Sequence, residues 1–255
     1  MIYELRYREL LKDVLKSDIS RNDRTGVGCI SAFNLSLSVD VSETFPVLTG
    51  RRMFPKVFNT EFNWFINGET NIKRFQDAGV KIWDAWADED GDLGPVYGHQ
   101  LRNFNSAGID QLQDVIASLK ETPDSRRHVI SLWNPVQQPE MALPPCYLYF
   151  QFFVDGNNLD MFVVQRSGDM FLGVPYDMAL FTMILNYVAE QAGYKARELA
   201  VNIIDAHIYK NQFEAVEEYL KQPVLRPTTK YEFKDKQVKL IDYNYGPVIT
   251  APVAV

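Results

Sequence analysis

Hydrophobic and polar residues alternate along 33–41. Phe33, Leu35, Leu37, Val39 and Val41 fall on one side, with Asn34, Ser36, Ser38 and Asp40 on the other. A period of two is that of a half-buried strand. Over 4–16 the apolar positions Leu5, Leu10, Leu11, Val14 and Leu15 recur at helical spacing instead, which predicts a helix with one apolar stripe. Pro55, a favourable first-turn residue, opens a further helix over 55–66. An amphipathic helix over 109–120 ends near Pro123. The stretches 127–133, 146–154 and 159–166 are dense in Val, Ile, Phe, Tyr and Leu and read as strands. Between the last two, Asp155-Gly156-Asn157-Asn158 has the composition of a hairpin turn. Residues 178–192 are long and apolar enough for a buried central helix, followed by a strand over 199–209 and a helix over 210–220. Helices and strands interleave without a regular βαβ rhythm, which predicts an α+β fold with a mixed or antiparallel sheet and flanking helices. No repeat, low-complexity tract or linker divides the chain, so a single domain over 1–255 is expected.

Composition narrows the function classes. Hydrophobic residues make up 46% and aromatic residues 13%, enough to build a large core and inconsistent with intrinsic disorder. The net charge of −7 works against capture of duplex nucleic acid or an anionic membrane, while leaving room for a basic pocket around one small anion. Two cysteines, Cys29 and Cys146, supply neither a disulfide framework nor a zinc-ligand pattern, so no metal is expected. No signal-peptide core or membrane-length apolar run is evident. A cytoplasmic protein is expected.

Cys146 follows Pro144-Pro145 at the start of an apolar strand, where a thiol either packs as a small hydrophobe or reaches a cleft. As a nucleophile it needs a cation nearby. Arg166-Ser167, at the far end of the strand paired by the hairpin, can supply one, and an Arg beside a Ser also suits a phosphate. Arg126-Arg127 and Arg24 form two more basic points, each of which is a solvated surface group when taken alone. Glu61, flanked by Phe58, Phe62, Trp64 and Phe65, is either a carboxyl with a raised pKa or the exposed edge of its helix, and periodicity does not decide. A Cys146–His207 pair points instead to a cysteine hydrolase, although no hydrolase signature accompanies it. The tract 83–98 pairs two Trp with several acids, and its spacing is not that of a calcium loop.

Seven stretches, in order, resemble thymidylate synthases over nearly the whole chain: NDRTGVG (22–28), IWDAWADEDGDLGPVYG (82–98), PDSRR (123–127), LPPCY (143–147), QRSGDMFLGVPYD (165–177), DAHIYKNQ (205–212) and APVAV (251–255). The resemblance implies that family's fold, a homodimer with a sheet face at the interface, and one-carbon transfer from 5,10-methylenetetrahydrofolate to C5 of a pyrimidine nucleotide. It makes Cys146 the nucleophile that adds to C6, and Glu61 the carboxyl that organises water and proton transfer. It places Tyr97 and Asp169 in the surrounding network. Arg24, Gln165, Arg166 and Ser167 become nucleotide ligands, and Arg126 and Arg127 reach in from the neighbouring subunit. His207 and Tyr209 hold the sugar hydroxyl. Arg51, Ile82, Trp83, Trp86, Leu143, Asp169, Leu172, Gly173, Tyr176 and Val253 line the folate side, and the tail to Val255 closes over it.

One departure bears on substrate. The family carries Asn where this chain has Asp177. An Asn amide matches O4 and N3–H of uracil, whereas a carboxyl accepts from N4 of cytosine and pairs with a protonated N3. An ionised Asp177 repels uracil O4, so dCMP is expected over dUMP, with drift in a dUMP enzyme as the alternative. Tyr147 replaces the usual His after the nucleophile. Gly168 for Cys and Thr60 for His have no account from the sequence. The closing tail and Trp83 favour a dry site and a methyl product, 5-methyl-dCMP with dihydrofolate. The alternative is hydroxymethyl-dCMP, formed when water attacks.

Overall fold

A computed structural model describes residues 3–225 and 229–254; of the expected closing tail, Val255 lies outside them. The chain begins with α1 (Tyr3–Leu15), β1 (Ile19–Arg21) and β2 (Cys29–Asp40), followed by α2 (Pro55–Ile66), α3 (Lys73–Ala78), α4 (Tyr97–Arg102) and α5 (Gln111–Glu121). Next come β3 (Val129–Ser131), β4 (Tyr147–Asp155), β5 (Asn158–Asp169), α6 (Val174–Ala192) and β6 (Lys195–Tyr209). The chain continues through α7 (Phe213–Lys221), β7 (Lys230–Lys234) and β8 (Gln237–Ile241). The main sheet has the order β1-β2-β6-β5-β4-β3, and β7 and β8 form a separate hairpin. Only β5 and β6 run parallel, joined through α6, so the sheet is mixed, as the interleaved elements led us to expect.

The expected hairpin forms at Asp155–Asn158, with Gly156 at φ 58°, a left-handed conformation that costs a glycine little. α6 is apolar on nearly every side because it is enclosed along most of its length, only its last turn reaching solvent at Glu190 and Gln191, and its Met178, Leu180, Phe181, Ile184 and Val188 are all buried. α1, α5 and α6 lie against strands of the sheet. Truncating one of the buried rings there, such as Phe150 or Phe181, should cost roughly 3–5 kcal/mol.

Three expectations change. The strand expected over 33–41 starts earlier, at Cys29, and Phe33 is 75% exposed instead of sharing the buried side with Leu37 and Val39. At Asn34 the backbone turns to φ 61°, and Asn202 Nδ2 donates to its Oδ1 at 2.7 Å, so the simple alternation is broken there. Strand 127–133 shortens to Val129–Ser131, and 210–212 is a 3₁₀ turn ahead of α7. Phe153 and Phe162 also stand in solvent on neighbouring strands. No helix among the described residues is long and apolar enough to cross a membrane.

Candidate active site

Cys146 sits at the mouth of β4, where two prolines deliver it without backbone N–H groups of their own. Its N–H donates to the Tyr97 hydroxyl at 3.0 Å, and its carbonyl accepts from Arg166 N–H at 2.7 Å. The Arg166 side chain occupies both preceding carbonyls, donating through Nε to Pro145 O at 2.9 Å and through Nη2 to Pro144 O at 2.9 Å. Its guanidinium lies 5.6 Å from the centre of the Trp133 ring. One side chain therefore both shapes the turn and brings positive charge to the thiol. Burial pushes the Cys146 thiol up, while Arg166 and Tyr97 pull it back; Asp177 and Asp169 oppose them. At rest the group is a thiol, and Arg166 is the nearby cation that favours its ionisation.

A carboxyl cluster faces it. Asp177 lies in the first turn of α6 and accepts from Gln165 Nε2 at 2.7 Å. Burial, with a further push from Asp169, raises its pKa to about 7 despite that hydrogen bond. Glu61 on α2 is raised to about 8, first by burial and then by the charge of Asp177. The Trp83 indole lies near enough to lower it slightly, yet makes no aligned hydrogen bond. Two neighbouring carboxyls that both titrate near neutrality can hold and pass protons. Asp169 has a different task. Its Oδ1 accepts from Phe171 N and Leu172 N at 2.9 Å each, and its Oδ2 accepts from Gln212 Nε2 at 2.8 Å, which shapes the 169–173 turn leading into α6. Gln212 carried no signal in the sequence.

Tyr147 is buried between Tyr97, 4.7 Å away between ring centres, and Phe181, 5.0 Å away. Burial holds its phenol well above the usual range, and Tyr97, Glu61, Asp177 and Cys146 all add to the shift. Gly168 now has an explanation: a Cβ there would meet Ile203 Cγ2 at 2.8 Å and Val174 Cγ2 at 3.0 Å. Those methyl groups leave no room for the family's cysteine. Thr60 bonds back to Lys56 O at 2.7 Å within its own helix, and nothing in the structure explains why it replaces His.

The anion-binding candidates divide. Arg166 and Ser167 stand on β5 beside Cys146. Arg24 is exposed in the turn held by Asp23, close enough to the Tyr209 phenol to offset part of the burial that pushes it to about 12. His207, packed edge-on to Tyr209 at 5.0 Å, interacts through Nδ1 with Asp205 O at 3.2 Å. No hydrogen bond joins it to Cys146 among the described residues, which weighs against a Cys–His hydrolase. Arg126 and Arg127 are exposed ahead of β3, and Arg126 borders a 720 Å³ cleft with Phe153 and Phe162.

On the other side Trp83 is buried among Trp64, Trp86 and Tyr97, each 5.8 Å away between ring centres. The indole N–H groups of Trp83 and Trp86 are buried donors without partners. With partly exposed Ile82, Leu143 and Leu172 nearby in sequence or core, they suit a flat heterocycle bearing acceptor atoms, as a pterin does. Gly173 begins the turn into α6, and the Tyr176 hydroxyl accepts from Phe54 N at 3.2 Å. Arg51 is buried, stacked 4.2 Å over Phe171 and donating to its carbonyl. Val253 is 56% exposed, whereas Ala254 beside it is buried.

Residues 5–255 match the family model described as thymidylate synthase. That family transfers a one-carbon unit from 5,10-methylenetetrahydrofolate, its co-substrate, to C5 of a pyrimidine nucleotide. With the match running through the cysteine, carboxyl and tryptophan clusters alike, the chain belongs to the thymidylate synthase family.

Proposed function

We propose that this enzyme acts on dCMP and methylates it at C5, with Cys146 as the nucleophile. The observation that carries the substrate choice is the Asp177 carboxyl, buried in the first turn of α6, bonded to Gln165 and titrating near 7. A carboxyl sharing one proton with cytosine N3, and accepting from N4, satisfies both groups on that edge. Its proton draws charge into the ring and eases addition of the Cys146 thiolate at C6. Arg166 stabilises the thiolate before attack.

5,10-Methylenetetrahydrofolate supplies the one-carbon unit and, for a methyl product, the hydride. Once C6 carries sulfur, C5 is the carbon nucleophile, and its proton must leave before the Cys146–C6 bond can break. Glu61 is placed to relay protons through ordered water, since near neutrality it is part acid and part base. Trp83 and the buried Ala254 of the tail support a dry site, in which hydride transfer outruns attack by water. Arg24, Arg166, Ser167 and Gln165 hold the nucleotide, with His207 and Tyr209 on the sugar. Arg126 and Arg127 complete the phosphate site of a partner subunit across the face that bears Phe33, Phe153 and Phe162.

The test is kcat/KM for dCMP and dUMP with methylenetetrahydrofolate, joined to the product mass. The reading predicts dCMP preference, a product heavier by CH₂, and dihydrofolate. A dUMP preference overturns the substrate. Addition of CH₂O without dihydrofolate establishes a hydroxymethylase.

A further inference from the structure

The first turn of α1 buries a carboxylate that the chemistry above does not use. Glu4 is 2% exposed and collects donors from three segments. Its Oε2 accepts from Thr49 N at 2.6 Å and from the Thr49 hydroxyl. Its Oε1 accepts from Gly50 N at 2.8 Å, the Tyr219 hydroxyl at 2.8 Å and Arg8 Nη2 at 3.4 Å. A buried charge is tolerated when it is this fully bonded, and an uncharged isostere cannot take its place without loss. A glutamine would turn one oxygen into a donor facing backbone N–H, leaving at least one donor unmatched even if the hydroxyls turn to accept.

What Glu4 holds has two outlets. Thr49 O accepts from Gly246 N at 2.7 Å, and Arg52 N donates to Pro247 O at 3.0 Å, so the Thr49–Arg52 loop is the bed on which the root of the C-terminal segment lies. The fit is close: a Cβ on Gly246 would come within 2.6 Å of Gly50 O, and one on Gly50 within 2.9 Å of Glu4 Oε1. The same loop carries Arg51, which donates to Phe171 O and stacks on its ring, in the turn shaped by Asp169.

We infer that Glu4 is a positioning residue for the folate side of the site. By fixing the Thr49–Arg52 loop it sets both the root of the closing segment and the Phe171 turn. The inference rests on the reading that the C-terminal segment closes over the folate. Its signature is a split between the two substrates: folate affinity depends on Glu4, and nucleotide affinity does not.

The experiment compares Glu4→Gln, truncation after Thr250, and the two changes together, reading KM for methylenetetrahydrofolate, Kd for the nucleotide alone, and Tm. Glu4→Gln should raise the folate KM about tenfold, the scale of one lost charge-assisted hydrogen bond, with nucleotide Kd unchanged. Added to the truncation it should raise the folate KM by less than its effect in the full chain, because part of that effect runs through the segment removed. A lowered Tm with both affinities intact, or both affinities lowered alike, makes Glu4 a structural residue and overturns the inference. Additive effects in the double variant overturn it as well. A truncation without effect on the folate KM removes the closing-segment reading, and the inference with it. If Glu4→Gln does not fold, Tyr219→Phe removes one donor and leaves the carboxylate in place. It must then show the same split at smaller size, and its absence counts against the inference.

Discussion

Asp177 and Glu61 show how burial turns ordinary carboxyls into groups that work near neutral pH. Glu61 was legible in part, since its aromatic neighbours announced an apolar setting; which way the carboxyl faced was settled only when Asp177 on α6 came to face it. Gly168 could not be understood from the sequence, because Ile203 and Val174 reach it only through the fold. The pKa of Asp177 carries a pH prediction. Below about 7 its carboxyl is protonated, offers a donor as Asn does, and can meet uracil O4; above 7 it is ionised and repels O4. The cytosine pair shares that same single proton, so kcat/KM for dCMP should fall as pH rises above about 7, by up to tenfold per unit, and the fall should be absent from Asp177→Asn acting on dUMP. A kcat/KM for dCMP without this fall would show that Asp177 does not share a proton with the base.

Long, strongly patterned elements were readable, and short or polar ones were not. α1 and α5 appear where apolar periodicity put them, α2 where Pro55 opened it, and α6 where the long apolar run lay, though it starts earlier, at Val174; each buries a continuous stripe or surface. α3 and α4 span six residues each, too few for a period to show. The β7–β8 hairpin turns through Asp235 and Lys236 at φ 52° and 58°, with no glycine to announce it. Strand β2 broke the rule of alternation at Asn34, a left-handed residue that only the pairing with β6 and the Asn202 bond explain. The elements that form the site were thus legible, but the turns that aim Asp169, Gln212 and Arg166 were not.

The whole molecule leaves a face unfilled. Phe33, Phe153 and Phe162 are exposed, and Arg126 lies beside the latter two at the edge of a cleft. In the proposed dimer that face is covered and Arg126 enters the partner's site. Mixing two inactive variants tests this: Cys146→Ser supplies an intact Arg126, and Arg126→Ala supplies an intact Cys146. After subunit exchange, hybrid dimers hold one complete site, and activity should recover to about a quarter of the native level. If Arg126 served its own subunit, every hybrid site would carry a defect and no activity would return. The central claim is the choice of base, and it is tested most directly by the ratio of kcat/KM for dCMP to that for dUMP, before and after Asp177→Asn. The account predicts a native ratio well above one that falls by about a hundredfold or more in the variant, as an amide restores the donor facing O4. A native preference for dUMP, or a ratio untouched by the substitution, would contradict it.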